Sequence, residues 1–593
     1  MLNNKILHNQ LISRRAFLIG SGQLTLFSLL AGKMLYMQLF ESDKYRTLSD
    51  KNRMNFIILP PNRGQIYDIA GNIIATNRPC FRLLLDANIS RNFKKEVQLI
   101  FDILELEEEQ QLQIKQRIKK ANRHIPVLVL DNLNWQQISL IEEQKPLINS
   151  IFVDIGFTRF YHFPTAMSHT IGYIGQVNEQ EKQELKISNL GDFNIGKSGI
   201  EKYYEEQLRG KFGYKQIEVN ALGRQVREIA SVASEQGNDI HLNIDAELQQ
   251  EILPYLNAQG STVIVMDNTN GNLLLLAVSP TFEANNFARL KQDYWDSLLN
   301  DRHKPLINKA VHSTYPPGSV FKLITILAGL EAGIKPEKSF HCNGASFLDS
   351  NSFRCWNHHG HGDVDMYGAI KHSCNIYMYE ISRLIGHGRI IDMAKKFGFG
   401  TKTGIDLAGE MSGFVPSAEW KKKKFNSKWT IGDTLNLSIG QGFLLATPMQ
   451  LARFVTSIAS GGILYTPRIA KAEAEFTQID INPKYLKLIS EGMYKAVNTE
   501  GGTAYYSRIL SEKHQLAGKT GTAQVQAKAN MYDDLSRDTI AWERRNHAIF
   551  MGFAPYHSPR YSILVYIDHG GGGGRMAAPV GSKIMAKVLE KYL

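Results

Sequence analysis

Hydrophobic positions fall into three regimes along this chain. The first is a single run. Ala16 to Phe40 is 25 residues, predominantly apolar, interrupted by Lys33 and a few small polar residues. That length spans a bilayer as a helix. Lys5, Arg14 and Arg15 precede it, so the positive-inside rule predicts a cytoplasmic tail at 1–15 and a transmembrane helix at 16–40. Lys33, near the outer end, can snorkel. Ser13-Arg14-Arg15-Ala16-Phe17-Leu18 also resembles a twin-arginine export signal, but no small-residue cleavage site follows. One buried helix of a soluble protein is the third reading of this run.

The second regime, 41–235, is mixed. Gly71-Asn72 predicts a hairpin turn between Ile66 and Ile73-Ile74-Ala75. Residues 96–120 carry helical periodicity with many charges; Leu104 to Lys120 is too short for a coiled coil and reads as a solvated surface helix. The pattern shifts near 236. Ile240-His241-Leu242-Asn243-Ile244 alternates like a strand, and a helix is predicted from Leu248. Val263 to Met266 and Leu273 to Leu276 flank Asn270-Gly271, a hairpin signal. Helical segments dominate to about residue 500. Strands return at Lys519-Thr520-Gly521, at Ala548 to Phe553 and at Ser562 to Ile567, followed by a flexible Gly570 to Gly574. The run Lys421 to Lys424 reads as a solvated loop. A hairpin, a helical insertion and returning strands predict an α+β domain with a helical lobe over 236–593.

Composition narrows the function class. The chain has 593 residues, 43% hydrophobic and 21% charged, as a multidomain globular protein does. A net charge of +11 permits an anionic partner, membrane surface or cell wall. No basic helix with interleaved aromatics marks a nucleic-acid partner. Four cysteines are too few for a disulfide scaffold.

Three motifs then follow in order: Ser319-Val320-Phe321-Lys322, Ser373-Cys374-Asn375 and Lys519-Thr520-Gly521-Thr522. Each alone is weak; a Ser-x-x-Lys arises by chance about twice in a chain of this length. The ordered set, with Tyr315-Pro316-Pro317-Gly318 before the first serine and Gly518 before Lys519, spells a serine acyl-transferase site. Ser319 and Lys322, three apart at the start of an apolar helix, share one face. A serine hydroxyl needs an adjacent base, and burial plus the nearby Lys519 lowers the Lys322 pKa toward that role. Gly521 admits a substrate backbone, while Lys519 and Thr520 can hold a carboxylate.

On these motifs the chain resembles the class B penicillin-binding proteins, monofunctional peptidoglycan D,D-transpeptidases, and among them the elongation-type penicillin-binding protein 2 enzymes. Asn62-Arg63-Gly64-Gln65-Ile66-Tyr67-Asp68 resembles the start of their pedestal domain, with Ile69 where the family usually has Arg; Ser198-Gly199-Ile200-Glu201, Tyr204 and Leu208-Arg209-Gly210 match it again, and Tyr161-His162-Phe163-Pro164 is a degraded Tyr-Pro element. The resemblance implies a transpeptidase fold, an antiparallel sheet plus helical lobe, at 236–593, on a pedestal at 41–235. It implies catalytic Ser319, Lys322, Ser373, Asn375, Lys519 and Thr522, with Thr520, Gly521, Thr522 and Asn375 binding substrate. Ser373 would relay a proton to the leaving amine, and the Ser319 and Thr522 N–H groups would form the oxyanion hole. The implied partners are peptidoglycan stem peptides, β-lactams and a membrane glycosyltransferase of the elongation complex. The implied location is the inner membrane, with the bulk of the chain periplasmic. A D,D-carboxypeptidase, a β-lactamase and a division-type transpeptidase share the trio, and a non-catalytic scaffold or β-lactam sensor is a further reading.

No cofactor is expected for catalysis. Cys342, Cys355, His361 and Cys374, separated by twelve, five and twelve residues, form a donor set suited to structural zinc. Some elongation-type relatives hold zinc here, with carboxylates at some positions. A Cys342–Cys355 disulfide and three unpaired thiols are the alternatives. His358, His359 and Asp363 read as an exposed polar loop.

Overall fold

The structure is a computed structural model, and it describes the chain except residues 1, 42–53, 88, 91, 121–125, 185–192, 220–224, 257–258, 290–291, 349–350 and 526–540. The first stretch of the expected pedestal, 42–53, therefore lies outside the described residues. Helix α1 (Leu2–Leu39) takes in the basic tail as well as the apolar run. Its segment Ala16–Leu39 has a mean hydropathy of 1.3 and none of it is buried against the rest of the protein.

Two sheets follow. β1 (Met54–Leu59) pairs with the hairpin Gly213–Val219 and Gln225–Val232 in a three-stranded antiparallel sheet. β2 (Ile66–Tyr67), β3 (Ile73–Leu85), Val127–Leu133 and Ile151–Tyr161 build the larger one, joined by Ile240–His241 in parallel to β2. The sequence break near 236 therefore falls just before a strand that pairs into this sheet. The predicted turn forms at Gly71 (φ 88), with the Asp68 carboxylate accepting from the N–H groups of Ala70 and Asn72.

The two motifs of this region meet in space. Glu201 is fully buried and accepts from Arg63 Nε at 2.6 Å and Arg159 Nε at 2.7 Å. Arg63 also pairs with Glu205 at 2.8 Å. Two guanidinium forks facing one buried carboxylate keep that charge compensated, which burial demands. Gly64 is required because a Cβ there would lie 2.0 Å from the Asn238 carbonyl oxygen. Residues 96–120 form two helices, Phe93–Ile103 and Glu108–Lys120, broken where Glu105 turns left-handed (φ 49).

The C-terminal half is built on five antiparallel strands in the order Leu273–Ser279, Ser261–Asp267, Tyr561–Ile567, His547–Ala554 and, at the edge, Ala517–Ala523. Strand alternation divides their apolar residues between two cores. Val263, Val265, Phe550 and Ile563 pack with helix Gly573–Tyr592 on one face. Ile264, Met266, Ile549 and Leu564 join the helical lobe on the other. Because both faces are covered, the strands read as continuous apolar runs. At the lobe's centre is α2 (Lys322–Glu331), buried from Lys322 to Leu330.

Three local expectations are corrected. Lys421 to Lys424 is helical, within Ala418–Phe425, because Ser417 caps that helix through Trp420 N and Lys421 turns inward to Asp433. Gly570 to Gly574 is not free chain. A Cβ on Gly573 would lie 2.2 Å from Gly521 O, so the helix start packs on the Lys-Thr-Gly strand. Two small hairpin pairings, Phe340–Cys342 with Gly362–Val364 and Ala345–Leu348 with Asn351–Arg354, interrupt the expected helical region.

Candidate active site

Pro317 leads into a 3-10 turn, Gly318–Phe321, that continues as α2. Ser319 stands half-buried on that turn and Lys322 opens the helix. Gly318 has φ 58, and a Cβ on it would lie 2.6 Å from Thr522 O. Only glycine lets the serine turn approach the Lys-Thr-Gly-Thr strand this closely. Gly318 N also donates to Gly440 O at 2.9 Å, fixing the turn from its other side.

The second motif meets Lys322 directly. Lys322 Nζ donates to Ser373 O at 2.7 Å, Ser373 Oγ at 3.2 Å and Asn375 Oδ1 at 2.5 Å. Ser373 lies in the left-handed region (φ 53), a conformation that surrounding contacts must impose on serine. Trp356 Nε1 supplies part of that restraint, donating to His372 O at 2.9 Å and Ser373 O at 3.1 Å. Asn375 Nδ2 donates to Arg354 O at 2.9 Å, which orients its amide. Asn375 then starts the helical segment Asn375–Lys396, which is broken by a kink at Gly386 (φ 75, ψ 165).

Ala517–Ala523 is the edge strand of the sheet, paired on one side with His547–Ala554. Its other side pairs with no strand among the described residues. Lys519 is fully buried and donates to Thr520 O at 3.0 Å; Thr520 Oγ1 bonds Thr503 Oγ1 at 3.0 Å. Gly521 packs closely on the serine turn, where a Cβ would lie 3.0 Å from the Val320 side chain. Thr522 Oγ1 accepts from Gly573 N at 3.4 Å.

Burial pushes the Lys322 ammonium down to about 8, opposed by the neighbouring cysteines Cys355, Cys374 and Cys342. Burial also holds Lys519 well below the ordinary lysine range, and the charge of Lys322 adds to this. The lysine–lysine effect expected from sequence therefore falls on Lys519, and desolvation dominates both.

Cys342, Cys355, His361 and Cys374 converge beside this site, their ligand atoms all within 4.8 Å of one another. His361 Nδ1 lies 3.5 Å from Cys342 Sγ and 3.6 Å from Cys355 Sγ. No disulfide links these cysteines. Three thiols and one imidazole nitrogen at this spacing fit a closed tetrahedral zinc set. His361 faces the two thiols with Nδ1, while its Nε2 is buried without a hydrogen-bond partner. His358, His359 and Asp363 are exposed, as expected. The fourth cysteine, Cys80, is remote in sequence and contacts Asp131.

Sequence reasoning missed Trp356, Gly440, Gln441 and Thr503. The docking of Gly440 on Gly318 and of Gln441 on Thr522 joins segments more than 80 residues apart and has no sequence signal.

Comparison with known proteins agrees with this geometry. Residues 261–586 match the penicillin binding protein transpeptidase domain, and residues 58–242 match the penicillin-binding protein dimerisation domain. Peptidoglycan D,D-transpeptidase MrdA of Haemophilus influenzae is 32% identical, covering 100% of this chain and 94% of the relative. The penicillin-binding protein PBP2 of Helicobacter pylori, solved in complex with MreC, superposes with a TM-score of 0.81 at 31% identity, covering 91% of this chain and 99% of that one. A solved structure described as a peptidoglycan synthase complex coordinating polymerization and crosslinking gives 0.69 at 28% identity, covering 97% and 98%. The chain belongs to the penicillin-binding protein transpeptidases, as a class B member of the penicillin-binding protein 2 type.

Proposed function

We propose that this chain cross-links peptidoglycan stem peptides as an elongation-type D,D-transpeptidase, with Ser319 as its acylated nucleophile. One observation carries the assignment of roles. The three motifs meet around one place, the catalytic cleft of this reading, with Lys322 bonded to Ser373 and Asn375 and the Ser319 turn seated against Thr522.

Lys519 and Thr520 hold the terminal carboxylate of the donor stem, whose backbone lies along the open edge of Ala517–Ala523. Asn375 binds a substrate amide. Neutral Lys322 accepts the Ser319 proton as Oγ attacks the carbonyl between two D-alanines. The oxyanion faces the N–H groups of Ser319 and Thr522. The C–N bond breaks, Ser373 passes a proton to the departing amine, and D-alanine leaves. A side-chain amine of a neighbouring stem then attacks the ester, Ser319 regains its proton and the cross-link forms. A β-lactam acylates the same oxygen.

The zinc reading rests on the donor set. Cys342, Cys355, His361 and Cys374 would hold the ion, which acts as a brace and takes no part in the reaction. Cys374 lies between Ser373 and Asn375, so the brace fixes both functional neighbours.

The apolar helix Ala16–Leu39 supports a single-pass anchor with the catalytic domain outside the cytoplasmic membrane. The relatives solved with MreC and in a synthase complex support partners of the same kind, among them the glycosyltransferase that makes the strands.

Purified full-length protein, supplied with its glycosyltransferase partner and lipid-linked precursor, should yield cross-linked stem dimers. Release of D-alanine with trimmed tetrapeptides alone would favour the carboxypeptidase reading.

A further inference from the structure

Four consecutive lysines, Lys421 to Lys424, have no part in the acyl-transfer chemistry. On helix Ala418–Phe425, Lys421 is buried against Asp433 while Lys422, Lys423 and Lys424 are exposed. Asn426, left-handed at φ 50, ends the helix and Lys428 follows, also exposed. Beside the lysines stands an aromatic platform. Trp420 packs on Phe443 at 5.1 Å, and Phe425 stacks on Phe443 at 5.3 Å and 27° while remaining 50% exposed. The Lys424 ammonium lies 5.5 Å from the Trp420 ring. The acidic groups here are Glu419, exposed in the first turn, and Asp433, committed to Lys421. The balance is strongly positive.

This surface is continuous with the cleft. Phe443 is two residues from Gln441, whose Nε2 donates to Thr522 O at 3.4 Å, and three from Gly440, which holds the Ser319 turn. Beyond it, Gly432 abuts Phe353 of the hairpin whose Arg354 carbonyl orients Asn375.

We propose that this basic–aromatic shelf docks the peptidoglycan strand outside the catalytic cleft, as a carboxylate-bearing sugar–peptide polymer. The inference rests on the transpeptidase reading. The motif residues grip only the end of a stem peptide, so the rest of the polymer must leave the cleft across its rim. An exposed aromatic face suits sugar rings and apolar peptide edges, and the lysines match the carboxylates of acidic stems. Acylation by penicillin needs only the Ser319 site, so it reports on that site separately from strand docking.

The test uses full-length protein and isolated peptidoglycan sacculi in a sedimentation assay, beside the rate of acylation by labelled penicillin. The variants are a triple one, Lys422→Glu with Lys424→Glu and Lys428→Glu, the matching arginine triple, and Phe425→Ala. The glutamate triple should bind sacculi about tenfold more weakly at low salt, as several rim charges reversed together imply. Wild-type binding should fall with added salt. The arginine triple should bind like wild type, Phe425→Ala should weaken binding, and penicillin acylation should stay within about twofold throughout. Unchanged sedimentation of the glutamate triple overturns the proposal. So does acylation that falls in parallel, which makes the helix a structural support. A loss of binding to anionic phospholipid vesicles but not to sacculi makes the shelf a membrane contact and also overturns it. Failure of the wild-type protein to react with penicillin would instead sink the transpeptidase reading.

Discussion

Replacing Lys322 by alanine is expected to slow penicillin acylation by about 10³-fold, the scale of losing a positioned general base. Arginine at this position should fail as well, because a guanidinium stays protonated and cannot accept the Ser319 proton. The wild-type rate should follow the neutral fraction of Lys322. Burial brings that lysine down to about 8. Below that pH the ammonium dominates, so the rate should climb about tenfold per pH unit and level off above it. The hydrogen bonds fit both states. The ammonium donates to Ser373 O, Ser373 Oγ and Asn375 Oδ1. When Lys322 is neutral, the Ser373 hydroxyl can reverse and donate to it. Stopped-flow acylation from pH 6 to 10 reads the profile; a flat one would remove Lys322 from the base role.

The second large effect concerns the metal. Protein purified without added metal should carry about one zinc per chain, and Cys374→Ser should carry almost none. The variant should also melt roughly 4 °C lower, the scale of a loss of about 3 kcal/mol in a domain of this size. Acylation should slow with it, because Ser373 and Asn375 flank the lost ligand and Ser373 holds a left-handed backbone that needs outside support. Elemental analysis, thiol counting under denaturing conditions and a thermal melt decide the matter. A metal-free wild-type protein with two thiols oxidised to a disulfide would reject the site.

The catalytic motifs were legible because their chemistry is local. Ser319 and Lys322 share a helix turn, and Lys519 to Thr522 share a strand, so spacing alone puts each set on one element. The hairpin at Gly71 and the strand runs of the large sheet were legible for the same reason. The rest depends on contacts distant in sequence. Nothing near Trp356 signals that its indole N–H reaches the Ser373 carbonyl. Lys421 to Lys424 looked like a loop because four lysines carry no amphipathic period, yet Ser417 and Asp433 anchor them as a helix. Gly570 to Gly574 looked flexible because glycine runs usually are, whereas Gly573 is small so that a helix can start against Gly521. The cysteine cluster was legible from residue type, and its closure within 4.8 Å required the fold.

Acylation joins a penicillin covalently to one oxygen, and mass spectrometry of the protease-digested protein after penicillin treatment locates that bond. The peptide carrying Ser319 should gain the mass of one opened β-lactam, fragment ions should assign it to that serine, and Ser319→Ala should abolish it. An adduct on another residue, or labelling that survives Ser319→Ala, would contradict the account.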